Sequence, residues 1–316
     1  PDFQRHDVWK QRQKSELIES ILMGIPIPLM YLFEDKNGKK QVVDGRQRIS
    51  AILDFLEGKF KLNNLRILKQ FNGCCFADLD LKQQGVIEDF QLLFYIIQPP
   101  TPERVKYDIF DRVNRGGTPL NKQEMRNALY RGRCTRMLDK LCCSPEFLIA
   151  TGRSINKERM KDQYVVLRAM AFLMLHRGEF KDIPALQYRG DIDDFLARFM
   201  VYVNDNAPEK LIVDYENLFI RCMQISYDLL GENGFRFSGN GIRRPINMPL
   251  FEALSYLFSF VPEKIDYTWV SRLILDIESV KEEFDDSRYF SGNIDSTTSV
   301  SFRFDRMDKI INRIQL

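Results

Sequence analysis

Near residue 118 the spacing of the apolar residues changes, and this change limits what the 316-residue chain can fold into. Before it, short apolar runs such as 29–34 and 90–97 have the length and composition of strands and lie between helical stretches. After it, apolar residues recur at helical spacing, for example over 160–175 and 211–230. The pattern predicts an α+β protein, with a small mixed α/β domain over residues 1–118 and an all-α helical domain over residues 119–316.

The first predicted domain contains a hairpin followed by a helix. Two predicted strands, 29–34 and 40–43, flank the Asn-Gly pair at 37–38, which is typical of a type I′ turn because both central positions need positive φ. A helix that ends at Gly58 follows, and Leu53 belongs to its apolar face. The other predicted helices cover 14–23, 160–175, 194–203, 211–230, 249–260, 269–284 and 304–314.

The composition excludes several functional classes. The chain has two histidines, His6 and His176, which lie too far apart for an HNH nuclease or a His-rich metal centre. Its 46 basic and 44 acidic residues give a net charge of +2, so any affinity for nucleic acid must come from local clusters. Six cysteines without a C-x-x-C pattern, and no apolar run of roughly 18 residues, predict a cytoplasmic protein with reduced thiols and no membrane span.

The segment that follows the second predicted strand has the character of a phosphate-binding turn. A strand ends at Asp44, Gly45 turns the chain, and a helix begins with Arg46, Gln47 and Arg48. Free backbone N–H groups and the positive end of the helix dipole stabilise an anion at such a helix start. The arginines add forked donors that match phosphate oxygens. The alternative is that Asp44 caps the helix and both arginines are solvated.

This segment resembles the DGQQR motif of the GmrSD restriction endonuclease N-terminal domain family, with Arg46 where that family usually has glutamine. Gly45, Arg48 and Ala51 are also similar to the G-x-x-R-x-x-A element of the ParB/sulfiredoxin superfamily. Five further segments resemble motifs of the same family. The first is Gln4-Arg5 with Trp9, and the others are Gly24 to Pro28, Phe110 to Ala128, Arg159 to Gln163 and Phe302 to Met307.

The resemblance implies a ParB/sulfiredoxin-like nucleotide-binding domain that receives phosphates at Gly45, Arg46, Gln47 and Arg48. A later Asn-containing segment would complete the site, and Gln4 and Arg5 would line the same cleft. The residues that bind nucleotide in this interpretation are Gln4, Arg5, Gly45, Arg46, Gln47, Arg48, Asn114 and Arg115.

The family resemblance further implies a role in restriction of foreign DNA. Several members hydrolyse nucleoside triphosphates and carry or partner with an HNH nuclease, which this chain lacks. We therefore expect a nucleotide-binding, NTP-hydrolysing module of an antiviral defence system that uses Mg²⁺, contacts DNA and works with a separate nuclease. Asp44, Arg48 and Asn114 are the candidate catalytic residues, and Asp44 is the candidate general base.

Two other functions remain open from the residues. Basic clusters over 104–136 and 153–161 can neutralise DNA phosphates, which suits a non-catalytic DNA-binding or nucleotide-switched subunit of a nuclease. The Arg-Arg pair at 243–244 is a third basic candidate. A ParB-like nuclease is the second alternative, but a metal site of Asp44 with the Glu-x-Lys sequence at 57–59 needs these residues on a strand.

The acidic residues of the segment 191–194 also admit two interpretations. One interpretation is a metal site formed by Asp191, Asp193 and Asp194. Carboxylates at this position are more typical of the start of a helix, where the helix dipole stabilises them.

Overall fold

The computed structural model of the protein describes residues 9–34, 38–98, 109, 121–237, 243–262 and 267–314. The chain divides into two compact units, residues 1–120 and 121–316. Strands and helices are both present, and the strands of the described residues form one three-stranded sheet, so the α+β class is confirmed. The ParB-like character of the first predicted domain (1–118) and the roles of both predicted domains stay predictions. In the part of the chain that is described, no helix combines the length and apolarity needed to cross a membrane.

The sheet of the N-terminal unit has the order β2-β1-β3. Strand β1 (Met30–Glu34) pairs antiparallel with β2 (Lys40–Asp44) and parallel with β3 (Phe94–Ile97). The antiparallel pair confirms the two strands of the predicted hairpin, whereas the asparagine of its turn lies outside the described residues. The sheet places the end of β2 next to the beginning of β1.

Three helices complete the described part of this unit. They are α1 (Gln11–Leu22), α2 (Arg46–Leu56) and α3 (Leu81–Glu88). Helices α1 and α2 share a core that includes Ile18, Ile21 and Phe55, with Trp9 packed against its edge. Trp9 therefore anchors the start of α1. Leu53 does not join the core, contrary to expectation, because it is 51% exposed on the outer side of α2.

A buried carboxylate fixes a loop against α1. Glu19 accepts hydrogen bonds from the backbone N–H groups of Ile67 and Leu68, each at 2.8 Å. Burial by itself would raise the pKa of Glu19, but the backbone N–H donors outweigh it and hold the pKa below its usual value. The loop after α2 is thus tied to the same core as α2 itself.

The second unit contains helices joined by loops, and none of its described residues forms a strand. Its helices are α4 (Lys122–Leu129), α5 (Arg133–Cys142), α6 (Pro145–Ala150), α7 (Lys161–His176), α8 (Ile192–Asp205), α9 (Glu209–Leu230), α10 (Met248–Phe258), α11 (Tyr267–Asp285) and α12 (Thr297–Ile314). Helix α7 packs against α5, α8 and α10, and it is buried on nearly all sides from Val165 to Met174. A helix that is apolar all round belongs in the centre of a core.

A buried ionic cluster joins three of these helices. Glu252 on α10 receives hydrogen bonds from the Nε of Arg168 on α7 and from the Nη2 of Arg303 on α12. Arg168 also pairs with Asp295 at 2.6 Å. Arg168, Glu252 and Arg303 are almost completely excluded from solvent, so each charge depends on its partners.

We expect Glu252→Gln to lower the free energy of unfolding by about 3 kcal/mol or more, because it leaves two buried guanidinium groups without their carboxylate. Urea denaturation measures the loss. The matched control is Glu283→Gln, which breaks the exposed pair with Arg306 and should cost less than about 1 kcal/mol. Similar small losses in both variants would show that the two buried guanidinium groups do not depend on the carboxylate of Glu252.

His176 is held neutral inside the helical unit. Its ring stacks on Phe304 with centroids 3.6 Å apart, and its Nε2 has no hydrogen-bond partner among the described residues. Burial, with a smaller effect of the Arg303 charge, lowers the pKa of His176 to about 3.

Because the pKa of His176 is lower in the folded state than the usual 6.5, its contribution to stability is complete above pH 6.5 and declines as the pH falls towards 3. Each pH unit in this window costs up to about 1.4 kcal/mol. We expect His176→Phe, which keeps a ring on Phe304, to flatten the pH dependence of the unfolding free energy between about pH 6.5 and 4. An unchanged pH dependence would show that His176 does not titrate on unfolding.

Candidate functional site

The candidate site is the turn from β2 into α2. Strand β2 ends at Asp44, Gly45 adopts φ +96°, and the helix begins at Arg46. The first hydrogen bond of the helix runs from the N–H of Ile49 to the carbonyl of Gly45 at 2.9 Å. The N–H groups before Ile49 therefore have no acceptor inside the helix, which is the arrangement that stabilises anions.

Gly45 is required at this turn for two reasons. Its φ lies in the left-handed region that L side chains rarely adopt. A Cβ at this position would also lie 2.3 Å from the Cγ and 2.6 Å from the Sδ of Met30, which is buried at the beginning of β1. The turn is thus packed directly against the sheet.

Arg48 crosses the turn and binds both sides of it. Its Nη2 forms an ion pair with the Oδ2 of Asp44, and its Nη1 donates to the carbonyl of Pro28. The guanidinium thereby links the first turn of α2 to the end of β2 and to the Ile-Pro-Ile-Pro segment before β1. Asp44 pairs with Arg48 and does not cap α2, so the alternative in which Asp44 caps and Arg48 is solvated is wrong.

Gln47 supplies a polar atom without a protein partner. Its Oε1 is buried in the first turn of α2 and accepts no hydrogen bond from the described residues. An orphaned buried oxygen is costly, so a ligand that donates to it would be favoured. The motif predicts Gln47 as a site residue. It gives no sign that the Oε1 of Gln47 is buried without a hydrogen-bond partner.

Four predicted site residues lie outside the described residues. They are Gln4, Arg5, Asn114 and Arg115. The structure therefore brings together Asp44, Gly45, Gln47 and Arg48, with a partly buried Arg46 between them, and the rest of the nucleotide-binding set stays a prediction.

The nuclease-like and metal-like patterns have other roles. Lys59 pairs with Glu57 and, at 3.5 Å, with Asp54 at the end of α2, whereas Asp44 pairs with Arg48. Asp191 accepts from the N–H groups at the start of α8, as expected for a helix start. Within the described ranges, no group of three or more His, Cys, Asp or Glu side chains lies together as metal ligands do.

The described part of the basic segment 104–136 is largely committed to the helical unit. Arg126 is buried and pairs with Asp193 at 2.7 Å, and Lys122 pairs with the same carboxylate. Arg133 pairs with Glu209. Burial would raise the pKa of Asp193, but its hydrogen bonds with Lys122 and Arg126 lower it. These three cations take part in ion pairs of the helical unit, and contact of the segment with DNA stays a prediction.

Two motif segments that are distant in sequence meet inside the helical unit. Asn121 caps α4 in a box with Glu124. Arg159 pairs with Glu124 at 3.1 Å, and Asn127 on α4 donates to the side chain of Gln163 on α7. The residues that resemble family motifs here build a structural contact.

We expect Gly45→Ala to lower the free energy of unfolding by at least about 2 kcal/mol, because left-handed strain adds to the overlap with Met30. Gly58 at the other end of α2 is the control, since it has φ +71° but no atom within 4 Å of a Cβ. Gly58→Ala should cost about 1 kcal/mol. Chemical denaturation compares them, and equal losses would contradict the close approach of Met30.

Comparison with known proteins identifies the family of the N-terminal region. Residues 1–131 match the family model described as GmrSD restriction endonuclease, N-terminal domain. This range contains the whole turn from β2 into α2 and extends through α4. No curated protein and no solved structure matches the chain. Residues 1–131 therefore belong to the GmrSD restriction endonuclease N-terminal domain family.

Proposed function

We propose that this region is the nucleotide-binding module of a DNA restriction system that defends against foreign DNA. The family membership supports the restriction role. The observation that carries the nucleotide role is the turn at Gly45, where a helix start lies beside the guanidinium of Arg48. The phosphates of a nucleoside triphosphate would bind at this helix start.

The chemistry of the turn favours phosphate over other anions. The N–H groups of the first turn and the helix dipole attract negative charge. Arg46 and Arg48 add two positive charges with several donors each. Gln47 Oε1 is available to accept a hydrogen bond from a ribose hydroxyl or a base amine.

Asp44 has a positioning role in this proposal. Its carboxylate and the carbonyl of Pro28 hold the two terminal nitrogens of Arg48, which orients the guanidinium before a ligand arrives. A preorganised cation loses little conformational entropy on binding. Asp44 can act as a general base for hydrolysis when the incoming phosphates take Arg48 from it.

A magnesium ion fits this donor set when it arrives with the nucleotide. Magnesium in nucleotide sites is commonly bound by one or two carboxylates together with substrate phosphates. Asp44 or Asn114 would lie near the ion, and Asp44 would do so only after its release from Arg48. The ion would neutralise phosphate charge, and the protein would position the phosphates for attack by water.

A second candidate function is a nucleotide switch without turnover, in which the chain regulates DNA binding or cleavage by a separate nuclease. The ion pair of Asp44 with Arg48 favours it, because the carboxylate is occupied by the guanidinium and is not free to orient an attacking water. Binding without phosphate release would identify this case.

The test measures binding of each of the four ribonucleoside triphosphates by calorimetry, and phosphate release with Mg²⁺, for the full chain. Arg48→Ala should weaken binding by about tenfold or more, because it removes charge-assisted hydrogen bonds. The matched control is Arg12→Ala, which breaks an i,i+4 ion pair with Glu16 away from the turn. It should bind like the unmodified protein.

Wild-type affinity in Arg48→Ala would overturn the proposed site. Asp44→Asn separates the two candidate functions, since it should abolish phosphate release in an NTPase while nucleotide binding remains measurable. If chelation of Mg²⁺ by EDTA leaves phosphate release unchanged, the assigned metal dependence is wrong.

A further inference from the structure

The helical unit contains a cavity of about 500 Å³ beside the start of α7. It lies between α6, the loop 151–160 and the first turn of α7. This volume is within the range of small-molecule sites, which is about 300–1,000 Å³. The apolar side of the cavity is formed by Leu148 and Ile155, which are partly exposed. Phe147 lies behind them, where it is buried against Phe219 and Phe251.

Two cations line this cavity without an ion-pair partner among the described residues. They are Arg153 and Lys157, and both are exposed to solvent. Neighbouring cations are used differently, since Arg159 pairs with Glu124 and Arg243 pairs with Glu232. Arg153 and Lys157 therefore give the cavity a positive rim that the protein does not neutralise by a salt bridge.

The backbone of Arg153 helps to end α6, because its N–H donates to the carbonyl of Leu148 at 2.8 Å. Arg153 has φ +51°, a left-handed conformation that costs an L residue roughly 1–2 kcal/mol and that glycine adopts freely. The cost is not compensated by a salt bridge of its side chain with the described residues. A glycine would make the same turn without this cost, and residues held in such conformations are enriched at ligand-binding sites.

The loop that carries Arg153 is fixed from behind. Arg236 donates to the carbonyl of Thr151 at 3.1 Å and to the hydroxyl of Ser154. Arg243 lies so close to Gly152 that a Cβ there would be 2.0 Å from its Nη2. These contacts hold residues 151–154 in place, so the guanidinium of Arg153 extends from a rigid base.

The interior of the cavity differs in charge from its rim. Asp162 lines it from the first turn of α7, where it is buried and accepts the N–H of Gln163 at 2.9 Å. Burial raises the pKa of Asp162. A carboxyl group there repels an anion but accepts hydrogen bonds from amine or ring N–H donors. Asn156 also lines the cavity, but its side chain is already hydrogen-bonded to the carboxylate and the backbone N–H of Glu158.

We propose that this cavity binds one nucleotide unit. Its phosphate would lie at Arg153 and Lys157, its ring against Leu148 and Ile155, and the donors of its base edge toward Asp162. The combination of a cationic rim, an apolar wall and one buried acceptor fits a molecule with an anion at one end and N–H donors at the other. The site does not rest on the proposed function, since none of its residues belongs to the turn at Gly45.

Two sources supply this chemistry, a free nucleoside monophosphate and a nucleotide within single-stranded DNA. Calorimetry of the full chain with each of the four nucleoside monophosphates and with inorganic phosphate tests the first source. Fluorescence anisotropy with a labelled single-stranded oligonucleotide of mixed sequence tests the second. Both are measured in the Arg48→Ala variant as well, so that binding at the turn of α2 is excluded and failure of one site is distinguished from failure of the other.

The decisive variant is Arg153→Gly, which removes the cation and relieves the left-handed strain. We expect its melting temperature to equal or exceed that of the unmodified chain, while nucleotide affinity falls by about tenfold or more. Lys157→Gln should weaken binding similarly, and Arg153→Lys should retain part of it. Lys210→Gln is the control, because Lys210 is an exposed lysine at the start of α9 that does not line the cavity.

Unchanged affinity in Arg153→Gly, or no binding of either ligand to the unmodified chain, would overturn the proposal. Equal affinity for inorganic phosphate and for the best monophosphate would overturn the assignment of the ring and of Asp162. Oligonucleotide binding that is lost in Arg153→Gly but kept in Arg48→Ala would establish DNA as the source.

Discussion

The contact between Gly45 and Met30 determines where β2 turns into α2. Because Met30 fills the space that a side chain at position 45 would need, the turn must be made by glycine, and it must lie directly on the first residue of β1. Arg48 then reaches both Asp44 and Pro28 from the first turn of the helix. One packing contact therefore positions the helix start, its guanidinium and its carboxylate together.

The helical unit is organised by charge as much as by apolar packing. Glu252 lies between the guanidinium groups of Arg168 and Arg303, and Arg168 and Arg126 both lie over the ring of Tyr164, at 5.6 and 5.1 Å from its centroid. Buried ions contribute little net stability but penalise any arrangement that separates them. The segments that resemble family motifs after residue 120 supply Arg126 and Arg303, so their role in this unit is structural.

The sequence predicts the strands and the long helices well because their apolar residues recur at a regular spacing. It does not predict α3, where Leu81 is exposed and Ile87 is the one buried apolar residue, so that no apolar stripe exists to detect. Helix α6 is too short for its period to be recognised. Leu53 follows the helical period but faces solvent, since periodicity does not show how wide the buried face of α2 is.

The candidate site is predictable in its residues but not in their contacts. A short motif identifies Asp44, Gly45 and Arg48. The ion pair between Asp44 and Arg48 depends on the left-handed turn at Gly45. The cavity at Arg153 is harder to foresee, because its cations, its apolar wall and Asp162 are brought together by a loop whose shape depends on Arg236 and Arg243. In the sequence, Arg153 and Lys157 are recognisable only as members of the basic cluster 153–161, and nothing there indicates a cavity.

The most direct test of the central claim is amide hydrogen exchange over the turn from β2 into α2, measured with and without saturating nucleoside triphosphate and Mg²⁺. If phosphates bind at the helix start, the N–H groups of Gln47 and Arg48 gain acceptors, and their exchange becomes slower. If the nucleotide binds elsewhere, exchange in this turn stays the same at saturation, and that result would contradict the assignment of the phosphate site.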